Sequence, residues 1–234
     1  MAVSHLVLLL MIWTQSYGSE AVQFRLLNKC GFTVWPGMLT SGGSAEGWKL
    51  KPQETMTISR DGNWSGRFWG RTGCKFNGSG EGRCATGDCN GLNCRGGGVP
   101  PVTLAEFTLG GYGGNDFYDV SLVDGFNIPL KIRPKDGSGS CRVTSCKSNV
   151  NAVCPNDLKV WNGNSVVACK SACLAWGESQ YCCTGAHNKP ATCPPSTFSR
   201  IFKDTCPDAY SYAYDDLTST FTCSSANYDI TFCP

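Results

Sequence analysis

Three observations predict a mainly β fold held by disulfides. Short runs of β-branched and aromatic residues recur between Gly, Pro and Asn. Gly is abundant, at 28 of 234 residues, and there are sixteen cysteines, an even number. Such a mixture favours strands and turns over long helices. Charged residues make up only 16% and the formal net charge is +2. Nothing in that balance argues for a nucleic acid or an anionic membrane surface as partner, so any strong patch must be local.

The chain opens MAVSHLVLLLMIWTQSYGSEA. Its eight-residue apolar run, Leu6 to Trp13, is too short to span a bilayer and fits the hydrophobic region of a secretory signal. Small residues at Ser16 and Gly18, or at Ser19 and Ala21, offer cleavage sites. A signal peptide is therefore expected over 1–21, although no Lys or Arg precedes the apolar run.

The cysteines agree with secretion. In an oxidising compartment they read as eight disulfides with no thiol left over. Zinc is the competing reading, but C-x9-C and C-x4-C are not the paired C-x2-C knuckles of zinc modules, and His187 is the only histidine after the signal. That scarcity also bears on Ser-His-Asp chemistry, which would rest on His187 in GAHNKPATC, a stretch with no nucleophile elbow. His187 reads as a loop surface residue. Neither HExxH nor a phosphate-binding GxxxxGK motif occurs. The chemistry left is that of carboxylates, hydroxyls, amides and guanidinium groups, with no metal or cofactor expected.

Taken in order, VQFRLL, FTVWPG, TMTIS and GRFWGR between Val22 and Thr72 have strand–turn texture. From Cys74 to Gly98 the chain is dense in Gly and Cys and too poor in apolar residues for a core of its own, so crosslinks must define it. Strands resume at VTLAEFTL, DFYDVSLVD and FNIPLKIRP, and Asp124-Gly125 between the last two signals a hairpin. A helix is expected in KSACLAWG, around Cys169 to Trp176, with Cys169 and Cys173 at i and i+4 on one face. Vicinal Cys182 and Cys183 are expected to tie different loops, because a bond between them would be strained. The segments AYSYAYDDLTSTFTC and YDITFC return to strands. Bridging Cys30 to Cys233 would anchor the last strand against the first, and closing so long a loop is worth about 5 kcal/mol in the chain-entropy account. Asn63-Trp64-Ser65 and Asn77-Gly78-Ser79 are glycosylation sequons, the second in the better surface loop.

Strand parity sorts some of the polar residues. Ala105, Phe107 and Leu109 share one face, and Glu106 points to the other with Thr108. Arg67 alternates with Trp69 and Arg71, a cationic and aromatic face opposite Phe68. Asp119 and Asp124 differ by five positions, which puts them on opposite faces of a regular strand. They can address one cleft only through a bulge, or because Asp124 already lies in a turn. The plain reading of these acids is a solvated strand face and turn chemistry.

The stretch GEGRCATGDC, Gly80 to Cys89, followed by Gly91 and Cys94, matches the signature of thaumatin-like proteins at every fixed position. TLAEF, FYDVSLVDGFN, CPDAYSYAYDD and the closing FCP are similar to that family too. The resemblance covers essentially the whole chain after the signal and is closest to plant pathogenesis-related and fruit members. It implies a thaumatin-like domain over 22–234: a flattened antiparallel β-sandwich (22–73, 102–150 and 206–234), a small loop region (74–101) and a disulfide-rich helical region (151–205). It implies the bridges Cys30–Cys233, Cys74–Cys84, Cys89–Cys94, Cys141–Cys223, Cys146–Cys206, Cys154–Cys169, Cys173–Cys182 and Cys183–Cys193. By matching motifs, it also implies an acidic cleft of Arg67, Glu106, Asp119, Asp124 and Asp215, with Asp216 adjacent to the last. Asp116 lies outside the matching motif and is expected to be loop charge.

A cleft of this kind suits a sugar. Hydroxyls donate to carboxylates in charge-assisted bonds. Tyr112, Phe117, Tyr118 and Tyr212 are close in sequence for stacking, and Arg67 would help keep clustered acids ionised. The resemblance thus implies a secreted plant defence protein that binds fungal β-1,3-glucan, and we expect it to act as a monomer with no transmembrane segment. One alternative is a weak endo-β-1,3-glucanase using Glu106 and Asp124 as its carboxyl pair. Another is a stress or fruit protein, or an inhibitor of microbial enzymes, whose cleft is incidental. For this family, a chain stopping at Cys233-Pro234 points to delivery to the apoplast rather than the vacuole.

Overall fold

The computed structural model describes residues 21–234. The expected signal segment, Ala21 apart, lies outside the described residues. The first strands are β1 (Val22–Asn28), β2 (Trp35–Thr40), β3 (Ala45–Gly47), β4 (Thr55–Arg60), β5 (Ser65–Arg71), β6 (Lys75–Phe76) and β7 (Gly82–Arg83). They are followed by β8 (Leu104–Thr108), β9 (Asp116–Ser121), β10 (Leu130–Lys135), β11 (Thr144–Cys146), β12 (Lys159–Asn162) and β13 (Ser165–Cys169). Helices α1 (Ala172–Trp176), α2 (Ser179–Cys182), α3 (Thr197–Thr205) and α4 (Asp216–Ser219) precede β14 (Phe221–Cys223) and β15 (Asn227–Phe232).

Period-two alternation builds the sandwich. A five-stranded sheet, β11-β10-β15-β1-β4, lies against a six-stranded one, β14-β9-β8-β5-β2-β3. Alternate residues of each turn inward: Phe24, Leu26, Ile132 and Ile230 from the first, and Phe68, Ala105, Phe107 and Val120 from the second, all buried. Phe24 joins the sheets, its ring 5.0 Å from Phe68 and 4.9 Å from Phe107. Such aromatic pairs add about 0.5–1.5 kcal/mol each beyond the area they bury. Every pairing within the two sheets is antiparallel except β1 with β15, the strands at the two ends of the chain.

All sixteen cysteines are bonded, in the eight pairs the resemblance implies. Cys30–Cys233 fastens the parallel pair across 203 residues of sequence. Cys182 and Cys183 do tie different segments, to Cys173 and Cys193.

AYSYAYDDLTSTFTC is strand only at Phe221–Cys223, after helix α4, and four further expectations are corrected. Asp124-Gly125 forms a turn, with the Gly125 amide donating to the Leu122 carbonyl at 2.9 Å, but no hairpin. The chain leaves one sheet at β9 and enters the other at β10. Gly125 is needed there: its φ is +87°, and a Cβ would lie 2.6 Å from the Cys169 carbonyl oxygen. Secondly, the helix begins at Ala172, capped by Ser171, whose hydroxyl accepts from the Leu174 amide. Cys169 instead ends β13, so it and Cys173 sit on two different elements.

Arg71 is the third. It is wholly buried rather than part of an open cationic face. Its guanidinium donates to the carbonyls of Trp35 (2.9 Å), Gly91 (2.7 Å) and Leu92 (2.9 Å). Burial pulls its pKa down to about 10, with Asp88 opposing. Neighbouring Trp69 donates to the Gly87 carbonyl and packs with Cys89, Cys94, Val102 and Leu104 in a second small core. The Gly-rich loop therefore folds onto β5. The fourth is Asp116, which is buried and accepts from the Tyr228 hydroxyl at 2.7 Å and the Gly110 amide at 3.0 Å.

Candidate functional site

The inward residues of β5, β8 and β9 fix what their neighbours do. With Phe68, Ala105 and Val120 in the core, Arg67, Glu106 and Asp119 must point to the opposite face of the six-stranded sheet. The register sets them in one row: Arg67 opposite Glu106, and Glu106 opposite Asp119. Leu39 of β2 extends the row past Arg67. On one side runs the row Ser65, Thr108 and Phe117, and on the other Trp69, Leu104 and Ser121. The acidic row lies in a groove of ≈ 500 Å³, lined by Leu39, Thr40, Arg67, Glu106, Phe117 and Asp119 among others.

The two carboxyls of the row differ electrostatically. Arg67 Nη1 stands 4.0 Å from Glu106 Oε1, and both side chains are about a third exposed, at 38% and 35%. Burial raises the Glu106 pKa, Arg67 opposes, the charge of Asp124 adds to the rise, and a hydrogen bond from Ser121 opposes it. Asp119 lacks such support. Its Oδ1 is closed off from solvent without a hydrogen-bond partner. Burial first, then the charges of Glu106 and Asp216, hold its pKa well above the usual carboxylate range. Of the two, Asp119 is held further above the usual range, and Glu106 has the Arg67 guanidinium to oppose its rise.

The other expected acids are placed differently. β9 ends at Ser121, so Asp124 escapes strand parity and sits in the Leu122–Gly125 turn, where its charge acts on Glu106. The Asp215 side chain is engaged. Its Oδ2 accepts from the Ser211 amide (3.0 Å) and hydroxyl (2.9 Å) and pairs with Lys203 Nζ at 3.0 Å. Asp216 is the exposed neighbour whose charge acts on Asp119. It accepts from the Tyr210 hydroxyl at 2.9 Å, and Tyr210 also feels Asp119.

Among the aromatic candidates, Phe117 is half-buried in the groove wall, Tyr112 is fully open and Tyr212 is half-buried. Tyr118 is corrected: it belongs to the core, and its hydroxyl donates to the Arg142 carbonyl at 2.6 Å. Ser121 and Tyr210 were not foreseen. Ser121 was within reach of strand parity, two residues beyond Asp119, whereas Tyr210 comes from a distant segment that pairs beside Ser121. Both sequon asparagines, Asn63 and Asn77, are exposed.

Among the described residues no group of three His, Cys, Asp or Glu is placed to hold a metal, and no helix is long and apolar enough to cross a membrane. The groove offers carboxyl groups, a guanidinium and an aromatic wall, groups whose chemistry suits hydrogen bonding to a polyhydroxylated ligand.

Residues 28–234 match the model of the Thaumatin family. The chain is 59% identical over 231 residues to "Pathogenesis-related protein 5" of Arabidopsis thaliana, covering 97% of both chains. It is 51% identical over 226 residues to "Glucan endo-1,3-beta-glucosidase" of Prunus avium, covering 93% of this chain and 92% of that one. Among solved structures, the fold is similar to a GH family 64 laminaripentaose-producing β-1,3-glucanase from Paenibacillus barengoltzii. That likeness has a TM-score of 0.60 at 11% identity, over 93% of this chain and 75% of the other.

Proposed function

The chain belongs to the thaumatin family, with plant pathogenesis-related proteins among its relatives, and from that premise we propose that it binds β-1,3-glucan of fungal walls in the acidic groove. The row Arg67, Glu106 and Asp119 at the groove floor is the observation that carries the reading. A glucan presents hydroxyls that donate and ether oxygens that only accept. Glu106 and Asp124 meet the donors, and the Arg67 guanidinium meets an acceptor. Phe117 supplies an apolar wall for sugar C–H faces. Such a protein works outside the cell, in the apoplast, where it meets fungal walls. Disulfides throughout the chain suit that compartment.

Pull-down on insoluble β-1,3-glucan tests this. The folded Glu106→Ala/Asp124→Ala double variant should lose retention, and unchanged retention would sink the reading.

The name of the Prunus avium relative favours a second reading, slow endo-β-1,3-glucan hydrolysis with Glu106 and Asp124 as the carboxyl pair. One carboxyl must then protonate the leaving oxygen while the other acts as nucleophile or base. Reducing-end release from a soluble β-1,3-glucan decides it, and activity that survives Glu106→Gln would remove Glu106 as the acid.

A further inference from the structure

The five-stranded sheet has a second regular face, on the side of the sandwich away from the groove, where Arg25 and Arg133 are exposed and Asp229 and Thr231 are buried. Its inner residues, Phe24, Leu26, Ile132 and Ile230, are core, so the residues between them point out. Register arranges these in three cross-strand rows. The middle row runs Arg133, Asp229, Arg25 and Thr57 across β10, β15, β1 and β4. On either side lie Lys131, Thr231, Leu27 and Thr55, and Lys135, Asn227, Gln23 and Ser59.

Four of those twelve positions are cations and one is an acid. That acid, Asp229, is already engaged by Arg25, which donates from Nε at 2.8 Å and Nη2 at 2.7 Å. Two more cations crowd the edge: Lys29 and Lys147 act on Lys131 together with Arg133. The Lys131 pKa is lowered, by burial first and then by these like charges, with Asp229 opposing. On a chain of net charge +2, these rows and their edge gather six cations against one acid.

We propose that this face is a second binding surface, fitted to a linear acidic polysaccharide of the polyuronate class. Lys131, Arg133 and Lys135 recur every second residue of one strand, roughly 6.8 Å apart. A line of evenly spaced cations matches a polymer bearing carboxylates at regular intervals. The rest of the face is hydroxyl and amide, from Thr55, Thr57, Ser59, Gln23 and Asn227, and these groups bond sugar hydroxyls. No aromatic side chain occupies the rows, so there is nothing to stack on nucleobases. Half-buried Leu27 is the one apolar side chain, too little to enter a lipid surface. Because groove and face lie on opposite sides of the sandwich, the protein could hold a neutral glucan and an acidic wall polymer at once.

The experiment titrates the disulfide-intact protein with soluble polygalacturonate. Fully methyl-esterified pectin and vesicles of phosphatidylcholine with phosphatidylserine are run in parallel. Binding to polygalacturonate is expected, with none to the esterified polymer, and it should weaken as ionic strength rises to about 0.15 M. The Lys131→Gln/Arg133→Gln variant should lose about tenfold in affinity and Lys131→Glu/Arg133→Glu more, while Glu106→Gln in the groove should bind as wild type. The near-ultraviolet circular dichroism of both double variants serves as the folding control, and the neutral pair keeps the test open if the reversed pair misfolds. The proposal is overturned by no binding, by equal binding to the esterified polymer, by stronger binding to the vesicles, or by unchanged affinity in a folded double variant.

Discussion

Glu106 and Asp119 face each other across β8 and β9, and the enclosed oxygen of Asp119 meets no hydrogen-bond donor. Two carboxyls so placed cannot both ionise freely. Arg67 flanks Glu106 and opposes its rise, whereas burial and the charges of Glu106 and Asp216 all push Asp119 up, so Asp119 is the harder of the two to ionise.

The asymmetry predicts how stability responds to pH. Between the ordinary carboxylate pKa of about 4 and the raised value of Asp119, the folded protein keeps a proton that the unfolded chain has released. The unfolded state binds fewer protons in that window, so stability falls as pH rises through it and stays reduced above. Asp119→Asn, neutral at every pH, should melt higher than wild type at pH 7, and the difference should fade below about pH 4. Each kcal/mol recovered would raise the melting temperature by roughly 2–4 °C in a domain of this size. A variant that melts lower at pH 7 would show that Asp119 is ionised and stabilising.

Arg67→Gln removes the charge that opposes the burial-driven rise of the Glu106 pKa. The Glu106 carboxyl should then titrate at higher pH. If glucan binding needs Glu106 ionised, the binding profile should move up by the same amount. Both side chains are over a third exposed or close to it, at 38% and 35%, so solvent screening keeps the shift modest. Carbon NMR of the glutamate carboxyl follows it directly, and an unmoved titration would disprove the coupling.

Asp215 and Asp216 should separate cleanly. Asp215→Asn breaks a hydrogen-bonded ion pair with Lys203 whose acid side chain is only 11% exposed, and should cost about 2–4 kcal/mol. Asp216→Asn removes an exposed charge that raises the Asp119 pKa. It should change stability by less than about 0.5 kcal/mol and lower the pH at which Asp119 titrates. Equal melting temperatures for the two variants would contradict the contrast between a structurally engaged Asp215 and an exposed Asp216.

How far such residues were legible in the sequence depended on whether the deciding partner was local. Parity separated Glu106 from Ala105 and Phe107 because each packs within its own strand pattern. It treated Arg67 and Arg71 alike, since both alternate with Trp69, yet a loop some twenty residues downstream buries Arg71 and bonds its guanidinium while leaving Arg67 partly open. Asp116 looked like loop charge because its partner, Tyr228, lies 112 residues away. Asp124-Gly125 carries real turn chemistry, but a turn motif does not say which sheet the next strand joins. The disulfide pairing came through the family's cysteine order, for spacing alone leaves the connectivity open.

Arg71 supports the last prediction, which links the loop to the groove. Its planar fork serves the Trp35, Gly91 and Leu92 carbonyls together. A lysine ammonium is compact and cannot reach all three, so Arg71→Lys leaves buried carbonyls without donors. The cost should be about 2–4 kcal/mol, expressed locally because Cys74–Cys84 and Cys89–Cys94 keep the loop covalently closed. Amide exchange should quicken for Leu92 and Arg95, whose amides donate to Gly80 and Cys89 within that loop, while β1 and β15 exchange as before. Gly97, at the end of the same loop, packs close to the Arg67 guanidinium. Loosening the loop therefore removes a wall beside Arg67, and glucan retention should weaken although no groove residue has changed. Retention at the wild-type level, with the loop amides exchanging fast, would show that the groove does not depend on this wall.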